Sequence, residues 1–377
     1  MNKNLLNIEI SGIRRFFNKV KKIDGAISLT LGEPDFNTPK EIKFGMIKAI
    51  EENRTTYTDN LGILELREEV SKYLLNKNIK YKKEEICITT GGSEALFSSI
   101  AAMINPKDKV LIPEIAYPAY ENIIKLLGGE VISYKLKEDF SIDFEELDYI
   151  LKNNKIELMI LSYPSNPTGA IIKKEECKQL VDRVKKNDLK IISDEIYESI
   201  IYDDYYSIAM NDDIKNNIIY ISGFSKMFSC TGLRVGFIAC NEDVMKEILK
   251  VHQYNISCTN SISQYGILEG LKSGLYNVDI MKNEFLKRKV YVEERLKEMN
   301  IDFISPKGTF YIFPSIKKYN LSSEEFCERL LLKEKIACVP GSAFGTSGEG
   351  YIRISYCYSL KELKLALDGL ENFIKNL

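Results

Sequence analysis

Histidine is nearly missing from this sequence: His252 is the only one among 377 residues. One imidazole cannot build a multi-histidine metal site, and it argues against a Ser-His-Asp triad, so His252 is expected to be an ordinary helix residue. Paired cysteines are missing as well. Cys87, Cys177, Cys230, Cys240, Cys258, Cys327, Cys338 and Cys357 contain no C-x-x-C pair and follow no regular spacing, which predicts reduced thiols and no metal. The start, Met1-Asn2-Lys3-Asn4-Leu5-Leu6, lacks the long apolar stretch of a secretory signal. No apolar run is long enough to span a bilayer. A cytoplasmic protein with no membrane contact is therefore expected. A charge excess is absent too: 52 Lys and Arg against 54 Asp and Glu leave a net charge of −2, which gives no basic field to recruit nucleic acid. No low-complexity linker or repeat separates the chain into beads, so its two or three domains are expected to interleave.

What is present is alternation. Short apolar runs at 86–90, 109–113, 130–134, 156–163, 189–194, 218–222 and 235–240 read as strands. Helix-like segments such as 93–104, 118–127 and 174–187 stand between them. Near-continuous apolar strands alternating with helices predict a mostly parallel seven-stranded sheet covered on both faces, an α/β architecture. After residue 275 the character changes: a long charged helix at 283–300, strand-like pieces at 309–313 and 351–356, and helices at 322–334 and 360–375 suggest a smaller α+β domain. The N-terminal arm, residues 1–35, has no sheet pattern of its own and is expected to pack on that domain. The expected division is 38–275 for the large domain and 1–37 with 276–377 for the small one.

Ligands on parallel sheets sit beyond the carboxyl ends of the strands, and the chemistry-bearing residues fall there. Ile88-Thr89-Thr90-Gly91-Gly92-Ser93-Glu94 is a strand, a glycine turn and a helix start, whose free amides suit a phosphate. Tyr117 follows the next strand and could stack on a flat ring. Asn166 opens an Asn-Pro-Thr-Gly turn, which explains itself almost as well by turn chemistry alone. Asp194 and Glu195 end a buried strand, where a carboxylate asks for a cation. Lys226 follows the apolar run 218–221 with Arg234 eight residues on, and a partly buried lysine can lose its proton and attack a carbonyl. Phosphate-binding amides, an aromatic plate, an amide, a carboxylate and an amine together fit pyridoxal 5′-phosphate, with the carboxylate keeping the ring nitrogen protonated so that the ring acts as an electron sink.

Over nearly its whole length the sequence resembles the fold-type I, class I/II pyridoxal-phosphate aminotransferases. The resemblance rests on Ile13-Arg14, Leu31-Gly32-Glu33-Pro34-Asp35-Phe36, Tyr57 with Gly62 and Leu66-Arg67, Asn166–Gly169, Asp194–Tyr197, Ser222–Gly236, Gly308-Thr309-Phe310-Tyr311 and Tyr351–Ser355. It implies that Lys226 holds the cofactor as a Schiff base and then shuttles a proton. It also implies that Asp194 pairs with the ring nitrogen, and that Tyr197 and Asn166 bond the ring hydroxyl oxygen. Tyr117 stacks on the ring, while Ser93 and Glu94 give backbone amides to the phosphate with Arg234 as a charged clamp. Tyr57 reaches the phosphate of a neighbouring subunit, so a homodimer is implied. Arg353 grips the substrate α-carboxylate, and Gly32 adds a backbone contact as the arm closes.

One departure stands out: relatives place a phosphate-binding serine where this chain has Gly223, so Ser225, ahead of Ser222, is expected to take over. Leu233 stands where relatives often carry Trp. The reaction expected is amino acid:2-oxo acid transamination by a ping-pong cycle, with aspartate, aromatic or broad-range donors open and no feature naming one. Tyr311 and the Ile13–Phe17 segment could line the side-chain pocket or simply pack in the core. The competing reading is a C–S β-lyase or another α,β-elimination enzyme on the same fold. A DNA-binding regulator is disfavoured, because the family pattern begins almost at Met1 and both Lys226 and Asp194 are present.

Overall fold

A computed structural model describes residues 1–8, 12–21 and 23–377 of the chain. The side chains of Asn7, Ile13–Arg15 and Phe17 lie outside the description, and with them the expectation that the Ile13–Phe17 segment lines the pocket.

The strands are β1 (Ile27–Ser28), β2 (Ile86–Thr89), β3 (Lys109–Pro113), β4 (Glu130–Tyr134), β5 (Leu158–Ser162), β6 (Lys190–Asp194), β7 (Ile218–Gly223), β8 (Gly236–Ala239), β9 (Tyr311–Ile312), β10 (Ile336–Ala337), β11 (Val339–Pro340) and β12 (Ile352–Ser355). All seven strands expected between 86 and 240 are there. They form one sheet in the order β2-β8-β7-β6-β5-β3-β4. Six run the same way, and β8 lies antiparallel between β2 and β7. Successive residues of each strand go to opposite faces of the sheet. Leu111, Met159, Leu161, Ile191, Ile218, Tyr220 and Phe237 enter one hydrophobic core. Val110, Ile112, Leu158, Ile160, Ile192, Ile219, Ile221 and Ile238 enter another on the reverse side. Each such side chain contributes about 1.5–3 kcal/mol by leaving water. Burial on both sides explains why the runs read as continuous apolar segments. The edge strand β4 is the exception, with Glu130 and Ser133 exposed, as an unpaired edge favours.

A third core joins Phe16, Val20 and Leu29 to the helices Tyr276–Glu298, Ser323–Glu334 and Leu360–Lys375. On it lies an antiparallel sheet, β11-β12-β9. The arm differs from expectation. Ile27 and Ser28 pair in parallel with Ile336 and Ala337, a two-residue strand too short to carry a period-two pattern. At the other end of the arm, Asn4 Nδ2 donates to the Leu126 carbonyl, 3.1 Å away, at the end of the Ala119–Leu126 helix. That end of the arm therefore lies against a helix of the large sheet, not on the third core.

Candidate active site

The carboxyl ends of β2, β5, β6 and β7, the loop after β3, the arm and β12 surround one cavity of about 560 Å³. Gly32, Ser93, Tyr117, Asn166, Asp194, Tyr197, Ser225, Lys226, Arg234 and Arg353 all line it. Two expected residues do not. Tyr57 is 89% exposed and lies outside the cavity of its own chain. Glu94 turns its side chain away: it accepts from the Thr90 amide (3.2 Å), from Ser98 Oγ (2.5 Å), and meets His252 Nδ1 at 3.2 Å. His252 is thus fully buried behind the glycine turn, with Nε2 lacking a partner among the described residues.

Lys226 sits in the single helical turn Phe224–Met227 that follows β7 directly. Its Nζ donates to the Gly32 carbonyl at 2.5 Å. Burial pulls its pKa down to about 8, with Arg234 and Arg353 pushing the same way and Cys357 and Glu33 opposing. A neutral amine is therefore populated near physiological pH, which an exposed lysine would not permit.

Asp194, at the end of β6, is 5% exposed. Its Oδ2 accepts from Tyr120 Oη at 2.7 Å and its Oδ1 from the Ile196 amide at 3.3 Å. Burial raises its pKa, and those two hydrogen bonds pull it back. Its described partners are all neutral, so its charge is left for something outside the chain.

Arg353 is 2% exposed in the middle strand of the smaller sheet. Its guanidinium lies over the Tyr311 ring at 4.2 Å. Nη1 donates to Asn166 Oδ1 at 2.7 Å and Nη2 to the Thr30 carbonyl, while the buried Nε has no partner among the described residues. Each terminal nitrogen keeps a second N–H, and the pair suits an incoming carboxylate. Tyr197 and Tyr311 meet hydroxyl to hydroxyl at 2.9 Å.

At the glycine turn, Gly91 has φ +75°, and a Cβ there would lie 2.7 Å from Arg234 Nη2. The helix Gly91–Met103 begins at that turn, and Gly92 and Ser93 in its first turn line the cavity. Gly223 pairs with Gly236, and a Cβ on it would come within 3.0 Å of Gly236 Cα and Ile196 Cδ1. The serine of relatives has little room here. Ser225 lines the cavity, whereas Ser222 is buried with its hydroxyl donating to the Glu195 carbonyl at 3.1 Å.

Tyr120 and Ser162 also line the cavity and had no role in the sequence reading. Tyr120 stands three residues after Tyr117 at a helix start, and Ser162 is a polar end to an apolar strand. Those were the available signals. Among the described residues, no His, Cys, Asp and Glu cluster could hold a metal ion, and no helix is long and apolar enough to cross a membrane.

The family model described as aminotransferase class I and II matches residues 24–370. A probable N-acetyl-LL-diaminopimelate aminotransferase of Bacillus subtilis is 43% identical, covering 99% of this chain and 95% of that one. Aromatic-amino-acid aminotransferase 2 of Thermococcus litoralis is 38% identical over 97% of this chain and 96% of its own. Among solved structures, the aspartate aminotransferase of Thermotoga maritima superposes with a TM-score of 0.92 at 34% identity, covering 100% of both chains.

Proposed function

As a member of the class I and II aminotransferase family, this chain is a pyridoxal-phosphate-dependent aminotransferase, and we propose that it passes the amino group of an amino acid to a 2-oxo acid by a ping-pong cycle through Lys226. The observation that carries the proposal is the set of unmet demands converging on one cavity: a lysine amine of lowered pKa, a buried carboxylate whose described partners are neutral, and a buried guanidinium whose described partners are neutral as well. These fit the cofactor and its substrate. Asp194 would face the ring nitrogen, and Tyr117 would lie on the ring. Asn166 and Tyr197 would bond the ring oxygen. Gly92, Ser93 and Glu94 amides, Ser225 and Arg234 would hold the phosphate.

When bound, pyridoxal phosphate supplies an aldehyde that captures amines and a ring that takes up the electrons left by the departing α-proton. The chain supplies the rest. The two terminal nitrogens of Arg353, each with an N–H beyond those given to Asn166 and Thr30, would bind the α-carboxylate bidentately and orient the α-hydrogen toward Lys226. Lys226 Nζ, neutral above pH about 8, would take that proton and later release it on the far side of the substrate nitrogen. Asp194, when ionised, would place its negative charge at the base of the cavity, facing the ring nitrogen. The names of two relatives, an aromatic-amino-acid and an aspartate aminotransferase, support aspartate or aromatic donors. Nothing about these relatives favours elimination chemistry.

We further propose a homodimer in which Tyr57 completes the neighbouring phosphate site. Its 89% exposure, beside Phe44, Ile47 and Ile50 exposed on one face of the Lys40–Glu51 helix, supports this, since exposed apolar groups of this kind mark interfaces. Residues 38–275 are proposed as the large domain, and 1–37 with 276–377 as the small one. The third core, built chiefly from the arm and from residues 281–373 with Tyr197 and Ile200 joining it, supports that division.

The test is a titration of the purified holoenzyme with single amino acids, without any oxo acid acceptor. A shift of the cofactor absorbance with one equivalent of 2-oxo acid supports transamination and ranks the donors. Pyruvate and ammonia accumulating beyond one equivalent would overturn it in favour of elimination.

A further inference from the structure

We propose that Tyr120, backed by Ser162, is a positioning residue that holds Asp194 ionised and aimed at the ring nitrogen of the bound cofactor. This rests on the reading of Asp194 given above. Ser162 and Asp194 are register partners at the ends of the parallel strands β5 and β6, and both side chains fall on the sheet face that the Ala119–Leu126 helix covers. Tyr120, the second residue of that helix, is 1% exposed. Its Oη lies 2.7 Å from Asp194 Oδ2 and 3.0 Å from Ser162 Oγ. A phenol has one proton to give. The carboxylate takes it, so Ser162 donates to the phenol oxygen in turn, and a two-step chain of hydroxyls ends on Asp194.

That chain has work that packing alone does not require. Burial drives Asp194 toward its protonated form, and the Tyr120 hydrogen bond is the foremost opposing contribution. The other, from the Ile196 amide, is long at 3.3 Å. A protonated Asp194 would present a donor where a ring nitrogen carrying its own proton needs an acceptor. Tyr120 also meets the Tyr117 ring edge-on, with centroids 5.8 Å apart and planes at 83°. One side chain therefore braces both the base of the cavity and the aromatic wall beside it. Phenylalanine at this position would keep the ring contacts and lose only the hydroxyl.

The experiment compares apoprotein affinity, by equilibrium dialysis, for pyridoxal phosphate and for its analogue with carbon in place of the ring nitrogen. Both ligands form the same bond to lysine, so that contribution cancels in the ratio. For the wild type the natural cofactor is favoured. Tyr120→Phe is expected to shrink that preference on the order of ten-fold, the scale of one hydrogen bond to a charged group, with little change in affinity for the analogue. Ser162→Ala is expected to shrink it by a smaller factor. Equal losses for both ligands, or an unchanged preference, would make Tyr120 a packing residue and overturn the inference. If Tyr120→Phe does not fold, an unchanged preference in Ser162→Ala overturns it instead. A wild type that binds both ligands equally would remove the role of Asp194 itself, a separate failure of the underlying reading.

Discussion

Asp194 and Glu195 are adjacent acids at the end of one buried strand, yet they sit in opposite worlds. The period of two puts Asp194 on the face with Tyr120 and the cavity, and Glu195 on the reverse face. There Glu195 accepts from Ser193 Oγ at 2.8 Å, from Tyr205 Oη at 2.6 Å and from Ser207 Oγ. Asp194 has one strong neutral donor and one long one. Both are buried and both have raised pKa values, chiefly from desolvation. The difference is that the chain itself meets the hydrogen-bonding demand of Glu195 and leaves that of Asp194 open. A buried polar group that its own fold does not satisfy is a pointer to a ligand, and a saturated one is a structural brace. Glu195 acts as a brace in its backbone too: its amide donates to Ile221 O and its carbonyl accepts from Ser222, tying the Asp194 strand to the Lys226 strand.

The contrast breaks first at the open end. Lys226→Ala is expected to cost at least roughly a thousand-fold in turnover, since a positioned base and nucleophile are lost together. Borohydride treatment followed by mass spectrometry should then leave no cofactor on the chain. A variant that keeps turnover within ten-fold would put the reacting amine elsewhere. Asp194→Asn is the next largest, a fall of about a hundred-fold. Its apoprotein should melt no lower than the wild type, because a buried charge without a cation has been removed. A large drop in melting temperature would mean that Asp194 is a brace after all, and the two faces would not differ in kind.

The sheet was legible because burial on both faces makes its central strands nearly continuous apolar runs, and because glycine turns and helix starts punctuate them. The strand ends were legible for the opposite reason: Asp194, Asn166 and Lys226 are polar groups where an apolar run stops. Arg353 and Tyr57 came from the resemblance alone. Tyr120 was not legible, because its meaning depends on the register that sets Ser162 beside Asp194, a long-range fact. The same holds for Gly223, whose lack of a side chain makes sense only once Gly236 lies against it and Gly236 in turn against Gly91 and Gly92. The two-residue strand β1 escaped because two residues have no period. The helices Lys40–Glu51 and Ser261–Ser273 pack on each other, another long-range fact. Gly45, Gly266 and Gly270 allow their close approach: a Cβ on Gly266 would lie 2.5 Å from Met46.

The smallest effect on catalysis is expected at the satisfied end, and it carries a pH signature. Glu195 has its pKa raised from 4.5 to about 7, with burial the main cause and Ser207, Tyr205 and Ser193 opposing. A carboxyl raised on folding favours the folded state while it holds its proton. The contribution is full below pH about 4.5, where folded and unfolded chains are both protonated, and it is lost as pH rises through about 7. Above that, the folded chain carries a buried charge whose cost is about 3 kcal/mol at 1.36 kcal/mol per pKa unit. Glu195→Gln cannot titrate. Its turnover should stay within about three-fold of wild type, while its melting temperature should gain several degrees on the wild type between pH 5 and pH 8. Parallel melting curves for the two proteins would place the ionisation of Glu195 below that window and equalise the two acids. A loss of turnover as deep as that of Asp194→Asn would show that the brace and the open site cannot be separated, because the β6–β7 tie through Glu195 would then be setting where Lys226 stands.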